Sequence, residues 1–87
     1  MRIQDLINTF NELKIAGSHQ AAIGIFKLLD NNSALFIKHL DPDTFQSLHA
    51  RFEAHAYATA KEYNSENFKT ELEKSCGLLS FYLDRVI

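Results

Sequence analysis

Between Ile3 and Leu13 the apolar residues fall at positions 3, 6, 7, 10 and 13. Steps of three and four place them on one stripe of a helix, where a strand would alternate at every second position. The same step recurs along most of the chain. The types that carry it agree. Eleven Leu, seven Ile and nine Ala stand beside a single valine, Val86. Ala and Leu cost little to place in a helix, whereas strands favour β-branched types. One proline and three glycines are too little punctuation for an all-β fold.

The spacing predicts a compact antiparallel bundle of four to five helices, all-α, forming one domain over residues 1–87. A first helix is expected over Ile3–Ala16, with Gly17 as left-handed terminator and Ser18 as cap of the next helix. The second, about His19–Asp30, carries Ala21, Ala22, Ile25, Phe26, Leu28 and Leu29 round more than half its circumference and is expected to be mostly buried. Gly24 within it implies close approach of a neighbouring backbone. Asn31 and Asn32 tolerate left-handed geometry, so they break or kink the chain before a short third helix, Ser33–Leu40. Asp41-Pro42-Asp43-Thr44 is the strongest boundary: Asp41 caps, Pro42 fits the first helical position and Asp43 complements the helix dipole. A fourth helix is read from Pro42 to Tyr63, with Phe45, Leu48, His49, Phe52, Ala56 and Tyr63 on one face. Asn64 or Ser65 opens the fifth, Glu66–Val86, whose seam is Phe68, Leu72, Ser75, Leu79, Tyr82 and Val86 with Cys76 and Leu83 beside it. The expected core includes Phe10, Phe26, Leu29, Phe45, Phe52, Leu72 and Leu79.

A domain this short buries little more than about 60% of its unfolded surface. Leu, Ile, Val and Phe nevertheless supply 26 of 87 residues, above the ~20% at which disorder sets in. The formal charge is −2 and the nine basic residues are scattered, unlike the concentrated positive face of a nucleic-acid binder. Cys76 stands alone, so no internal disulfide forms. Asp5 falls too early for a secretory leader and no apolar run reaches bilayer length. The reading is a complete cytoplasmic gene product with no membrane association. Its size suits small bacterial or phage regulators, immunity proteins and inhibitors, an analogy of size class alone.

The phosphate-cradling glycine motifs, HExxH, CxxC and GxSxG are all absent from the sequence. No cofactor, metal or catalytic residue is expected, and the chain is read as a non-enzyme. His49 and Glu53, one helical turn apart, are two metal ligands where more are needed, and Glu53-Ala54-His55 has the wrong spacing for one face. The plainer expectation is that His49 donates a hydrogen bond within the core. Cys76, on the flank of a helix, reads as a small buried hydrophobe. Residues 3–30 could be a helix-turn-helix, but its recognition helix would hold one basic residue, Lys27, and be too apolar for a DNA groove.

Two features exceed what a minimal core needs. Ala50, Ala54 and Ala58 form a row opposite the Phe45/Phe52 face, bordered by Tyr57, where a solvated helix usually carries Glu, Lys or Gln. Leu78 and Phe81 lie off the main seam near Gly77. These six residues are the candidate partner-binding set of a small protein-binding module: an inhibitor, adaptor or regulatory subunit, expected as a homodimer through the alanine row. A dimeric nucleic-acid-associated regulator and a metal-dependent bundle using His49 and Glu53 are the alternatives.

Overall fold

The computed structural model describes residues 2–16 and 18–86. Six helical segments follow one another with no strand among the described residues: α1 (Ile3–Leu13), α2 (Ser18–Asn31), α3 (Ser33–His39), α4 (Pro42–Ala56), α5 (Ala60–Tyr63) and α6 (Glu66–Asp84). They form a helical bundle of 36 × 23 × 20 Å. The Gly17 conformation and the Ser18 side chain lie outside the described residues.

The helix ends show why the chain breaks where it does. Asp41 Oδ1 accepts the backbone N–H groups of Asp43 and Thr44 at 3.0 and 3.1 Å, and the Thr44 hydroxyl donates to Oδ2. These bonds, the Thr44 hydroxyl first, hold the Asp41 carboxyl below its ordinary range. Ser65 Oγ accepts the Phe68 N–H at 3.1 Å and starts α6. Asn32 acts differently from expectation. Its φ is −125° and no non-glycine residue among those described has positive φ. It separates α2 from α3 through its side chain, whose Nδ2 donates to the Leu28 carbonyl at 3.0 Å. Residues 19–40 are therefore two helices.

The helix read over 42–63 needs correction. α4 stops at Ala56, and Tyr57, Ala58 and Thr59 are non-helical. Two local devices cause the break. Thr59 and Glu62 form a reciprocal cap, with Glu62 N–H donating to Thr59 Oγ1 at 3.3 Å and Thr59 N–H to Glu62 Oε2 at 3.2 Å. The Tyr63 hydroxyl donates to the Ala56 carbonyl at 3.2 Å, occupying an acceptor that the helix end leaves unpaired.

The core gathers the inner faces of all the long helices. Leu6 and Phe10 from α1, Ala22, Ile25 and Leu29 from α2, Phe36 from α3, Phe52 from α4 and Leu79 from α6 are essentially inaccessible. α2 and α4 form the most extensive helix pair. Six of the seven expected core residues are buried; Phe26 is half-buried at the edge, its ring against His49 and Tyr57. Gly24 also differs from expectation. A Cβ there would lie 2.7 Å from Leu13 Cδ2, so the close neighbour is a side chain of α1 rather than a backbone.

Candidate functional site

α6 presents two unlike faces. Inward, Phe68, Leu72, Ser75, Leu79 and Leu83 are buried. Outward, Leu78 and Phe81 remain 37% and 50% exposed. Their order along the helix makes a stripe: Lys74, Leu78, Phe81 and Arg85 are separated by four, three and four residues and so share a face. The Arg85 guanidinium lies 4.1 Å from the centroid of the Phe81 ring, within cation–π distance. Tyr82 packs edge-on against the same ring at 5.4 Å.

Beside this stripe, between α4 and α6, lies a shallow open hollow of about 580 Å³ lined by Arg51, Lys74, Gly77, Leu78 and Phe81. Gly77 helps make it: a Cβ at that position would meet nothing within 4 Å. The hollow continues along α4 past Ser47 and Thr44 through the shared residues Arg51 and Leu78. Leu78 and Phe81 supply its apolar surface, and Arg51 and Lys74 its charged margin.

A polar network forms the wall behind the hollow. The Ser75 hydroxyl, fully buried, is reached from α4 by two side chains. Arg51 Nη1 donates to Ser75 Oγ at 3.3 Å, and His55 Nε2 lies 2.8 Å from the same atom. With Oγ accepting from Arg51, its hydrogen is donated to a neutral His55. Burial, and then the Arg51 charge, lower the His55 pKa below its ordinary 6.5, against a smaller opposing effect of Glu71. The Phe52 and Phe68 rings stand edge-on to the imidazole at 5.9 and 5.8 Å. A serine bonded to a histidine has the composition of a nucleophile and its base. Here the hydroxyl is fully buried, and the network joins α4 to α6.

The other residues singled out in the sequence are dispersed. His49 is half-buried between the Phe26 and Phe45 rings. Its Nε2 pairs with Asp30 Oδ1 at 3.0 Å, with Asp30 more than half exposed, so its partner is a surface carboxylate rather than a core acceptor. Among the described residues no three His, Cys, Asp or Glu side chains gather as a ligand set around it or elsewhere. Cys76 is half-buried and burial pushes its thiol up to about 11, so it stays protonated at neutral pH. Ala21, Ala22, Ile25, Leu28 and Leu29 of α2 face the core, which leaves little of that helix for a DNA groove. No helix of the described residues is long and apolar enough to cross a membrane.

Of the six candidate partner-binding residues, the structure brings Leu78 and Phe81 together and leaves them accessible. Ala50, Ala54 and Tyr57 are also exposed, Tyr57 at 75%. Ala58 is a correction: it lies beyond the end of α4 and packs, half-buried, against the core. The alanine row is thus two residues long. Sequence reasoning missed Arg51, Lys74 and Arg85. The signal for two of them was present, since Lys74 and Arg85 bracket the apolar pair at helical spacing. Arg51 belongs to the site only because α4 lies beside α6.

No family model matches the chain, and no curated protein or solved structure matches it.

Proposed function

We propose that this chain is a non-enzymatic protein-binding module, an inhibitor, adaptor or regulatory subunit, whose docking surface is the hollow between α4 and α6. The observation that carries this reading is the adjacent exposure of Leu78 and Phe81 on one stripe of α6, in a chain with buried seams on its other long helices. Water contact at two large apolar side chains costs free energy that a partner would recover. Exposed aromatic and aliphatic side chains beside Arg are the types that dominate binding energy at interfaces. The test compares capture from the native cell by the wild-type chain and by a Leu78→Ser/Phe81→Ser variant. Both residues lie outside the core, so the variant should keep its helical circular dichroism. The expected result is a protein retained by the wild type and lost by the variant. Identical retention on both chains rejects the docking surface.

A second reading, self-association through the outer face of α4, rests on the exposed Ala50, Ala54 and Tyr57. Small side chains permit close approach of a second copy, and two-fold pairing is the commonest arrangement for small homo-oligomers. Sedimentation at micromolar concentration tests it. A dimer converted to a folded monomer by Ala54→Glu supports this face. A monomeric wild-type chain rejects it.

A further inference from the structure

Charge says what kind of segment the hollow between α4 and α6 receives. The chain as a whole is acidic, with a formal charge of −2. The hollow inverts that balance. Arg51 and Lys74 are among its lining residues and no carboxylate is. Arg85 extends the positive margin by lying over the Phe81 ring. Of the acidic groups around it, Glu71 engages Lys74 at 3.5 Å in an exposed pair, which is weak. Asp43 lies at the far end of the continuing groove. Asp84 lies seven residues beyond Gly77, on the same side of α6 as that lining residue, but is not itself part of the lining.

We propose that the occupant is an acidic amphipathic helix from another protein, its apolar side chains set against Leu78 and Phe81 and its carboxylates against Arg51, Lys74 and Arg85. This inference rests on the reading of the hollow as a docking surface. The stripe from Lys74 to Arg85 is about 16 Å long, the rise of about three helical turns, so a helix laid along it meets every residue of the stripe. A second copy of this chain is a poor occupant. Two-fold pairing through this face brings like patches together, so each of the three cations meets cations of the other copy. Nucleic acid fits less well, because a backbone-tracking surface needs a row of cations, and here three surround an apolar centre.

The test selects displayed helix-forming peptides of about 15 residues, about four turns, on the full chain, with counter-selection on the Leu78→Ser/Phe81→Ser variant. The expected peptides carry Leu, Ile, Phe or Trp at helical spacing flanked by Asp and Glu. Their affinity should fall at least about tenfold in a Lys74→Glu/Arg85→Glu variant and several-fold from low to high salt, as rim charges dictate. Peptides with the same apolar spacing but neutral or basic flanks overturn the acidic partner while leaving the docking surface standing. Failure to recover any peptide that discriminates the wild type from the Leu78→Ser/Phe81→Ser variant overturns both. A dimer dissolved by the Leu78→Ser/Phe81→Ser variant, or tight binding of a mixed-sequence DNA duplex lost in Lys74→Glu/Arg85→Glu, assigns the surface to another occupant and overturns the acidic helix.

Discussion

The two flanks of α4 are built differently. Against α2 and α3 the contact is apolar and closed: Phe36 and Phe45 stack at 6.1 Å, and the Phe26 ring lies against His49. The polar contact of His49 with Asp30 sits at the outer edge. Against α6 the order is reversed. The buried Ser75 hydroxyl lies within, reached by exposed Arg51 and half-buried His55, and apolar Leu78 and Phe81 lie without. The first flank contributes stability by removing apolar surface from water. The second adds a polar network and leaves Leu78 and Phe81 exposed. In a domain with a small core, a surface can be kept for binding only if another face holds the fold together.

The sharpest way to break this comparison is to empty the core at the centre of α4. Phe52 is fully buried, and Phe52→Ala should destabilise by about 3–5 kcal/mol, the cost of lost transfer energy plus the cavity left behind. Urea denaturation measures it, and the loss threatens folding in a domain of this size. A midpoint near that of the wild type would mean that α4 does not anchor the bundle.

The polar wall should cost less. Ser75→Ala removes the hydroxyl that both Arg51 and His55 engage, and the expected loss is about 1–3 kcal/mol for partners left without it. The same wall predicts a pH dependence. The folded chain holds His55 below its ordinary 6.5, mainly through burial, so it binds that proton less readily than the unfolded chain. Its contribution to stability is complete above about pH 6.5, the unfolded value. It is lost as the pH falls through the lower folded pKa. Urea midpoints of the wild type should therefore decline on acidification from pH 7, with a shallower decline in His55→Gln. Equal slopes in the two chains would remove His55 from the wall.

Local chemistry explains which parts of this molecule were legible in the sequence. The start of α4 could be read because Asp41, Pro42 and Thr44 act on their own neighbours. The seam of α6 could be read because burial follows helical spacing, and Leu78 and Phe81 stood out by departing from it. The break after Ala56 was overlooked although Thr59 and Glu62 spell a capping box. An unbroken run of helix-favouring residues, without Gly or Pro, outweighed that signal. The Arg51–Ser75–His55 wall was beyond sequence reasoning, since the partners are 24 and 20 residues apart and meet only through the packing of α4 on α6. The positive margin of the hollow was lost for the same reason: scattered cations in the chain become neighbours only in the fold.

On the outer side of α6 the expected effect is smaller again. Phe81 is half exposed, so Phe81→Ser forfeits roughly half of a full burial, about 1 kcal/mol. A loss near that of Phe52→Ala would place Phe81 in the core and abolish the contrast between the two flanks.

The smallest effect has the opposite sign. Gly77 lies inside α6, facing open space, and Gly24 lies inside α2, facing Leu13. Alanine at either position gains about 0.5–1 kcal/mol of helix propensity. At Gly77 nothing opposes the gain, so Gly77→Ala should raise the melting temperature. At Gly24 the added methyl meets Leu13 Cδ2 at 2.7 Å. That methyl is the end of a flexible side chain, so Leu13 can swing aside, but the displacement cancels part of the gain. Gly77→Ala should thus stabilise more than Gly24→Ala. The added carbon at residue 77 also enters the hollow that Leu78 and Phe81 line, and a partner that uses the hollow should be retained less well by the more stable chain. Greater stability with undiminished retention would mean that the partner contacts Leu78 and Phe81 without entering the space beside Gly77.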